Sequence, residues 1–146
     1  MTRVRRVALV VIGFGSVVVG AWAQVWPRSF YDEFPGFGRG WVAVDGPYNE
    51  HLVRDVGGLN LGLALAAFWA LLAGSVLLAR VVGAAALVYG LPHLLYHASH
   101  LDDFDTSDAV GIVVGLAFAA AAALVALIAP AGVEHATHDA VGGSAR

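Results

Sequence analysis

Three histidines, His93, His97 and His100, stand four and three residues apart in the run Pro92-His93-Leu94-Leu95-Tyr96-His97-Ala98-Ser99-His100-Leu101-Asp102-Asp103. On a helix turning about 100° per residue they fall within about 60° of one another. They therefore form one stripe, flanked by Tyr89 and Tyr96. Imidazoles four apart can chelate one metal ion, and a third a turn later can join it or bind a second. Earlier in the chain Glu50, His51, Arg54 and Asp55 form two pairs at helical spacing, Glu50 with Arg54 and His51 with Asp55. Imidazole and carboxylate together suit Zn, Fe, Cu or Ni. The candidate metal set is thus His93, His97, His100, His51 and Asp55, with Zn, Fe or Cu as the candidate ion. Asp55 or Asp102 serves either as a ligand or as the group that orients a ring.

Other roles stay open for the same residues. The rings can hydrogen-bond to a neighbouring loop, ligate haem, or relay protons, since imidazole titrates near neutrality. Arg54 and Asp55 can fix the start of a helix or bind an anionic headgroup, a quinone or a substrate. His135 and His138 form a weak pair in a polar tail. No phosphate-binding loop, dinucleotide fingerprint, GxSxG or HExxH occurs. A single histidine box is too few for the di-iron chemistry of membrane desaturases. No catalytic residue is identified, and whether the chain is an enzyme stays undecided. The absence of cysteine removes disulfides, thiolate metal sites and a cysteine nucleophile. A formal net charge of -3 offers no basic surface for nucleic acid.

These residues need elements to hold them, and the composition says which. The 146-residue chain is 59% hydrophobic and 13% charged, with a mean hydropathy of +0.75. A soluble fold this small could not bury so much apolar surface, so the bilayer is the expected solvent. The fold class is all-α, a polytopic four-transmembrane-helix bundle. Apolar runs predict spans over about 7–26, 56–79, 81–100 and 109–129, each near the ~20 residues a bilayer requires. They form one domain over 1–130, followed by a disordered cytoplasmic tail over 131–146. The second and third spans are expected to turn near Arg80 as a tight hairpin, bringing His51 and Asp55 towards the histidine stripe.

Arginine sets the expected orientation. Arg3, Arg5, Arg6, Arg80 and Arg146 fall on one side, and Arg28, Arg39 and Arg54 on the other. This predicts a plasma-membrane protein with both termini cytoplasmic and the histidine stripe at the outer face. Ala21-Trp22-Ala23 resembles a signal-peptide cleavage site, but the apolar run continues to Trp26, which favours an uncleaved anchor. The long outer loop carries Phe30, Tyr31, Phe34, Phe37 and Trp41 and is expected to lie along the membrane surface. Asp45-Gly46-Pro47 reads as the start of a helix that runs into the second span. Gly58 with Gly62 and Gly111 with Gly115 form GxxxG motifs, expected mainly to pack inside the bundle, with homo-oligomerisation as the other use.

The stretch from Gly46-Pro47-Tyr48 through Asp55-Val56-Gly57-Gly58-Leu59-Asn60-Leu61-Gly62, an acidic residue before a glycine pair and a small-residue helix, resembles DoxX-like four-helix membrane proteins. The resemblance covers about the middle half of the chain. The Ala/Val/Gly/Arg-rich composition resembles that of small membrane proteins from high-GC actinobacteria. DoxX-like proteins include quinone-linked oxidoreductase subunits, so the resemblance implies the fold better than the activity, and it assigns no residue a role. The expected function is transition-metal binding in a structural or redox-accessory role. The alternative is a non-catalytic accessory subunit of an envelope or respiratory complex, meeting its membrane-protein partner through Phe30, Phe34, Phe37 or Trp41. Transport is least favoured, because the spans hold little ionisable chemistry at mid-membrane.

Overall fold

Four long helices carry the chain, each started by a side chain that caps its first turn. They are α1 (Arg3–Val25), α4 (Glu50–Ala73), α5 (Val76–Ala98) and α6 (Thr106–Ile128), with the short α2 (Pro27–Glu33) and α3 (Trp41–Val44) between the first two. The computed structural model describes residues 1–130. The expectations placed on 131–146, the disordered tail with its two histidines, lie outside the described residues. Thr2, Asn49, Ser75 and Asp105 each accept a hydrogen bond from a backbone N–H three residues on, satisfying a donor the helix leaves free. At 23 or 24 residues and a rise of 1.5 Å, each helix is roughly 35 Å long, enough for a ~30 Å hydrocarbon core. All four are long and apolar enough to cross a membrane.

Three boundaries differ from the sequence expectation. The α4–α5 turn lies at Gly74-Ser75, not at Arg80. Gly74 adopts φ +64° and ends α4, and Ser75 caps α5 at once, so Arg80 sits inside α5. The helix expected to begin at Asp45-Gly46-Pro47 begins at Glu50, because Asn49 supplies the cap; it does run unbroken into the span. The loop expected as turns contains two short helices, α2 and α3.

The helices pack as two tight pairs, α1 with α4 and α5 with α6. Glycine lets each pair touch backbone to backbone. A methyl added at Gly57 would lie 2.7 Å from Gln24 N, and one added at Gly83 would lie 2.6 Å from the Ala123 carbonyl. Such contacts do in lipid what the hydrophobic effect cannot. The GxxxG glycines do not make these helix-to-helix backbone contacts. A Cβ at Gly62 or Gly115 would meet nothing within 4 Å, and one at Gly58 only the far end of Gln24. Gly111 does pack, under the Trp41 ring at 3.1 Å. The reason is rotational. The buried face of α4 runs through Val53, Gly57, Asn60, Ala64 and Ala67, and Gly58 and Gly62 stand off it.

The bundle has two unlike ends. At one, Arg3, Arg5 and Arg6 lie beside the α4–α5 turn and the end of α6, over an alanine-rich core that includes Ala67, Ala70, Ala79, Ala123 and Ala126. Arg5 is fully buried there; its guanidinium donates to the carbonyls of Ala126, Ala129 and Pro130. At the other end, α2 and α3 fold inward as an aromatic lid, with Phe30 only 5% exposed. Trp22, Phe34, Val42 and Tyr48 pack around Ala23, Phe30 and Val53.

Candidate functional site

The lid closes one end of a cavity between the two helix pairs. Its volume is about 590 Å³, and its walls come from α1, α4, α5, α6 and the lid itself. That lies within the ~300–1,000 Å³ typical of small-molecule sites. Most of the wall is apolar; the polar side chains in it are Ser16, Asp45, Asn60, Tyr89, His93 and His97, with the indole of Trp41.

Helix α5 positions the histidines. One turn separates His93 from His97, so their rings meet edge to face with centroids 4.7 Å apart. Tyr89, a turn earlier, stacks on His93 at 5.6 Å, and Tyr96 meets His97 edge-on at 5.4 Å. His97 is 8% exposed, and its Nε2 lies 3.9 Å from a carboxylate oxygen of Asp45. Its Nδ1 is buried and has no hydrogen-bond partner among the described residues, and the same holds for Trp41 Nε1. Both atoms are closed off by the packing around them, although their residues line the cavity.

The other expected ligands lie elsewhere. His100 stands beyond the end of α5, since the helix stops at Ala98 and the Ser99 hydroxyl turns back on the Leu95 and Tyr96 carbonyls, 2.9 Å from each. The exposed His100 ring stacks on Tyr96 at 4.3 Å, with Nδ1 2.8 Å from the Tyr96 carbonyl. His51 and Asp55 pair with each other at 3.4 Å, with side chains 87% and 55% exposed. Both point away from the cavity, because each lies about 160° around the helix from Val53. Arg54 bonds to Glu50 at 2.9 Å and to the Gln24 carbonyl, so the pair fixing the start of α4 is Arg54 with Glu50. The five expected ligands thus separate into three places. Among the described residues no group of three or more His, Asp or Glu is arranged to hold a metal ion.

Asp45 and Trp41 are the site residues that sequence reading missed. Asp45 was read as a helix cap, although it follows the apolar Trp41-Val42-Ala43-Val44, and a lone acid closing such a run was the available signal. The lid that carries both is held by Arg28, 2.6 Å from Asp32 and over the rings of Tyr31 and Tyr48. The Tyr31 hydroxyl donates to the Gly46 carbonyl. Arg39 reaches across to Asp108 and Ser107 at the start of α6. Of the aromatics expected to face a partner, Phe30, Phe34 and Trp41 pack inward, and only Phe37 is fully exposed.

No protein-family model, curated protein or solved structure matches the chain, which leaves the DoxX-like resemblance neither strengthened nor displaced.

Proposed function

We propose that the chain is a multi-pass plasma-membrane protein, with both termini cytoplasmic and the aromatic lid outside, that binds a small, mostly apolar molecule beneath the lid. The observation that carries this is the lidded cavity of about 590 Å³, walled mostly by apolar side chains from all four long helices and the lid. The lining is apolar enough to accept a lipid-soluble body, and Asp45, His93 and His97 stand at the lid end, where they would orient one end of the molecule, with Ser16 and Asn60 deeper. The test is photolabelling in lipid nanodiscs with a diazirine-bearing octane. Cavity residues should be labelled in the wild type and spared in Gly115→Leu, which puts a side chain into open cavity space. Labelling confined to lipid-facing residues in both proteins would refute it.

A transition metal is the second candidate occupant, in a structural or redox-accessory role. It is favoured by the ring contact of His93 with His97 and the carboxylate of Asp45 beside them. Two imidazoles and one carboxylate would suit Zn, Fe or Cu, but these three would have to draw together to hold an ion, and His51, Asp55 and His100 would have to move further to contribute. Elemental analysis of purified wild type beside His93→Ala/His97→Ala decides it: near-stoichiometric metal, lost in the double variant, supports a metal centre, and none in either removes it.

A further inference from the structure

We propose that a notch on the outer side of α4, at the lid end of the bundle, holds the headgroup of a phospholipid with a primary amine, a phosphatidylethanolamine. The site is separate from the cavity and rests only on α4 crossing the bilayer. Gln24, Arg54, Asp55, Gly58 and Leu59 line it. The notch exists because Gly58 has no side chain: a Cβ there would meet only Gln24 Oε1, at 4.0 Å. Arg54 and Asp55 lie in the second turn of α4, where a spanning helix passes from headgroups into hydrocarbon. Their side chains, 40% and 55% exposed, put opposite charges beside the notch without pairing with each other. Arg54 bonds instead to Glu50 and the Gln24 carbonyl, and Asp55 meets His51.

These charges select the headgroup. The guanidinium N–H groups left over by Glu50 and Gln24 suit phosphate oxygens. Phosphate alone is poorly matched, because two carboxylates, Glu50 and Asp55, flank the one guanidinium. A headgroup that also carries a cation answers Asp55. A primary ammonium donates hydrogen bonds to a carboxylate, whereas the trimethylated nitrogen of choline has none to donate. His51, 87% exposed, can turn into water as the amine arrives. Deeper along α4, Leu59 is 74% exposed and a Cβ at Gly62 would meet nothing within 4 Å, which leaves an open apolar strip for an acyl chain.

The experiment reconstitutes the full chain in vesicles of equal parts phosphatidylethanolamine and phosphatidylcholine with matched acyl chains. The protein is extracted in mild detergent, and its retained lipid is weighed by native mass spectrometry. Wild type should retain the ethanolamine lipid about twofold to fivefold over the choline lipid, the range of an ion pair open to water. Asp55→Asn should erase that preference, and Gly58→Leu, which fills the notch, should retain less of either lipid. Equal retention of the two lipids by the wild type, or a preference unchanged in Asp55→Asn, overturns the headgroup assignment. Retention unchanged in Gly58→Leu puts the lipid elsewhere and overturns the site. A chain that fails to enter the vesicles overturns the site together with the membrane reading, whereas cavity labelling stands or falls independently.

Discussion

Replacing Arg5 should loosen the whole bundle, although as one of three neighbouring arginines it looks interchangeable in the sequence. Its guanidinium is fully buried and reaches the last carbonyls of α6, with Nε 3.0 Å from Ala126 O and Nη1 3.2 Å from Pro130 O, and Nη2 on Ala129 O. A helix leaves its final carbonyls unpaired and its C-terminus partially negative, so a cation there is doubly favoured. In Arg5→Ala the exposed Pro130 carbonyl can turn to water at little loss. Ala126 and Ala129, at 0% and 9% exposure, have no such recourse. Two charge-assisted bonds at roughly 1.5–3 kcal/mol each set a ceiling near 6 kcal/mol. Relief from holding a guanidinium out of water offsets part of it, leaving an expected loss of about 3 kcal/mol, or roughly a hundredfold in the folding equilibrium. Arg5→Lys should recover less than half, because an ammonium cannot fork onto three carbonyls. The assay is reversible unfolding in mixed detergent micelles followed by circular dichroism, with the exposed Arg6→Ala as control. If Arg5→Ala and Arg6→Ala lose the same stability, the capping role assigned to Arg5 is wrong.

Three further outcomes are expected. Gly83→Ala should cost about 1–3 kcal/mol, the usual range for overpacking, because the new methyl meets α6 backbone at 2.6 Å; Gly62→Ala should cost nothing measurable in the same assay. Asp105 caps α6, and its bonds from the Asp108 N–H and the Ser107 hydroxyl hold its carboxyl below the ordinary range. The stability it lends is therefore complete above the ordinary carboxyl pKa and is lost as pH falls through the lowered one; acid titration of Asp105→Asn, which still caps, should lack that component. His51→Ala and Asp55→Asn should change stability by less than about 1 kcal/mol, as exposed pairs do, and should leave cavity labelling unaltered; a loss of labelling in either would mean that these residues reach the cavity after all.

Run length and composition by themselves determined the four apolar helices and the all-helical fold. Lipid accepts a spanning chain only when every backbone group is bonded within it, and about 20 apolar residues leave few other solutions. Helical periodicity likewise put His93 and His97 on one face, since that is a property of a single helix. The partner across the gap was beyond its reach. Asp45 meets the α5 face, and Trp41 the α6 face at Gly111, only because the lid folds back between the helix pairs, and no local rule relates residue 45 to residue 97. The expected meeting of His51 and Asp55 with the stripe failed for the same reason. Adjacency in sequence suggested that α4 and α5 pack along their length, but backbone contact at Gly20, Gly57 and Gly83 binds them instead to α1 and α6. That choice turns His51 and Asp55 outward and opens the cavity between the pairs. Which faces meet is settled by the fit of whole helices, a sum over contacts distant in sequence, and only the tertiary structure contains it.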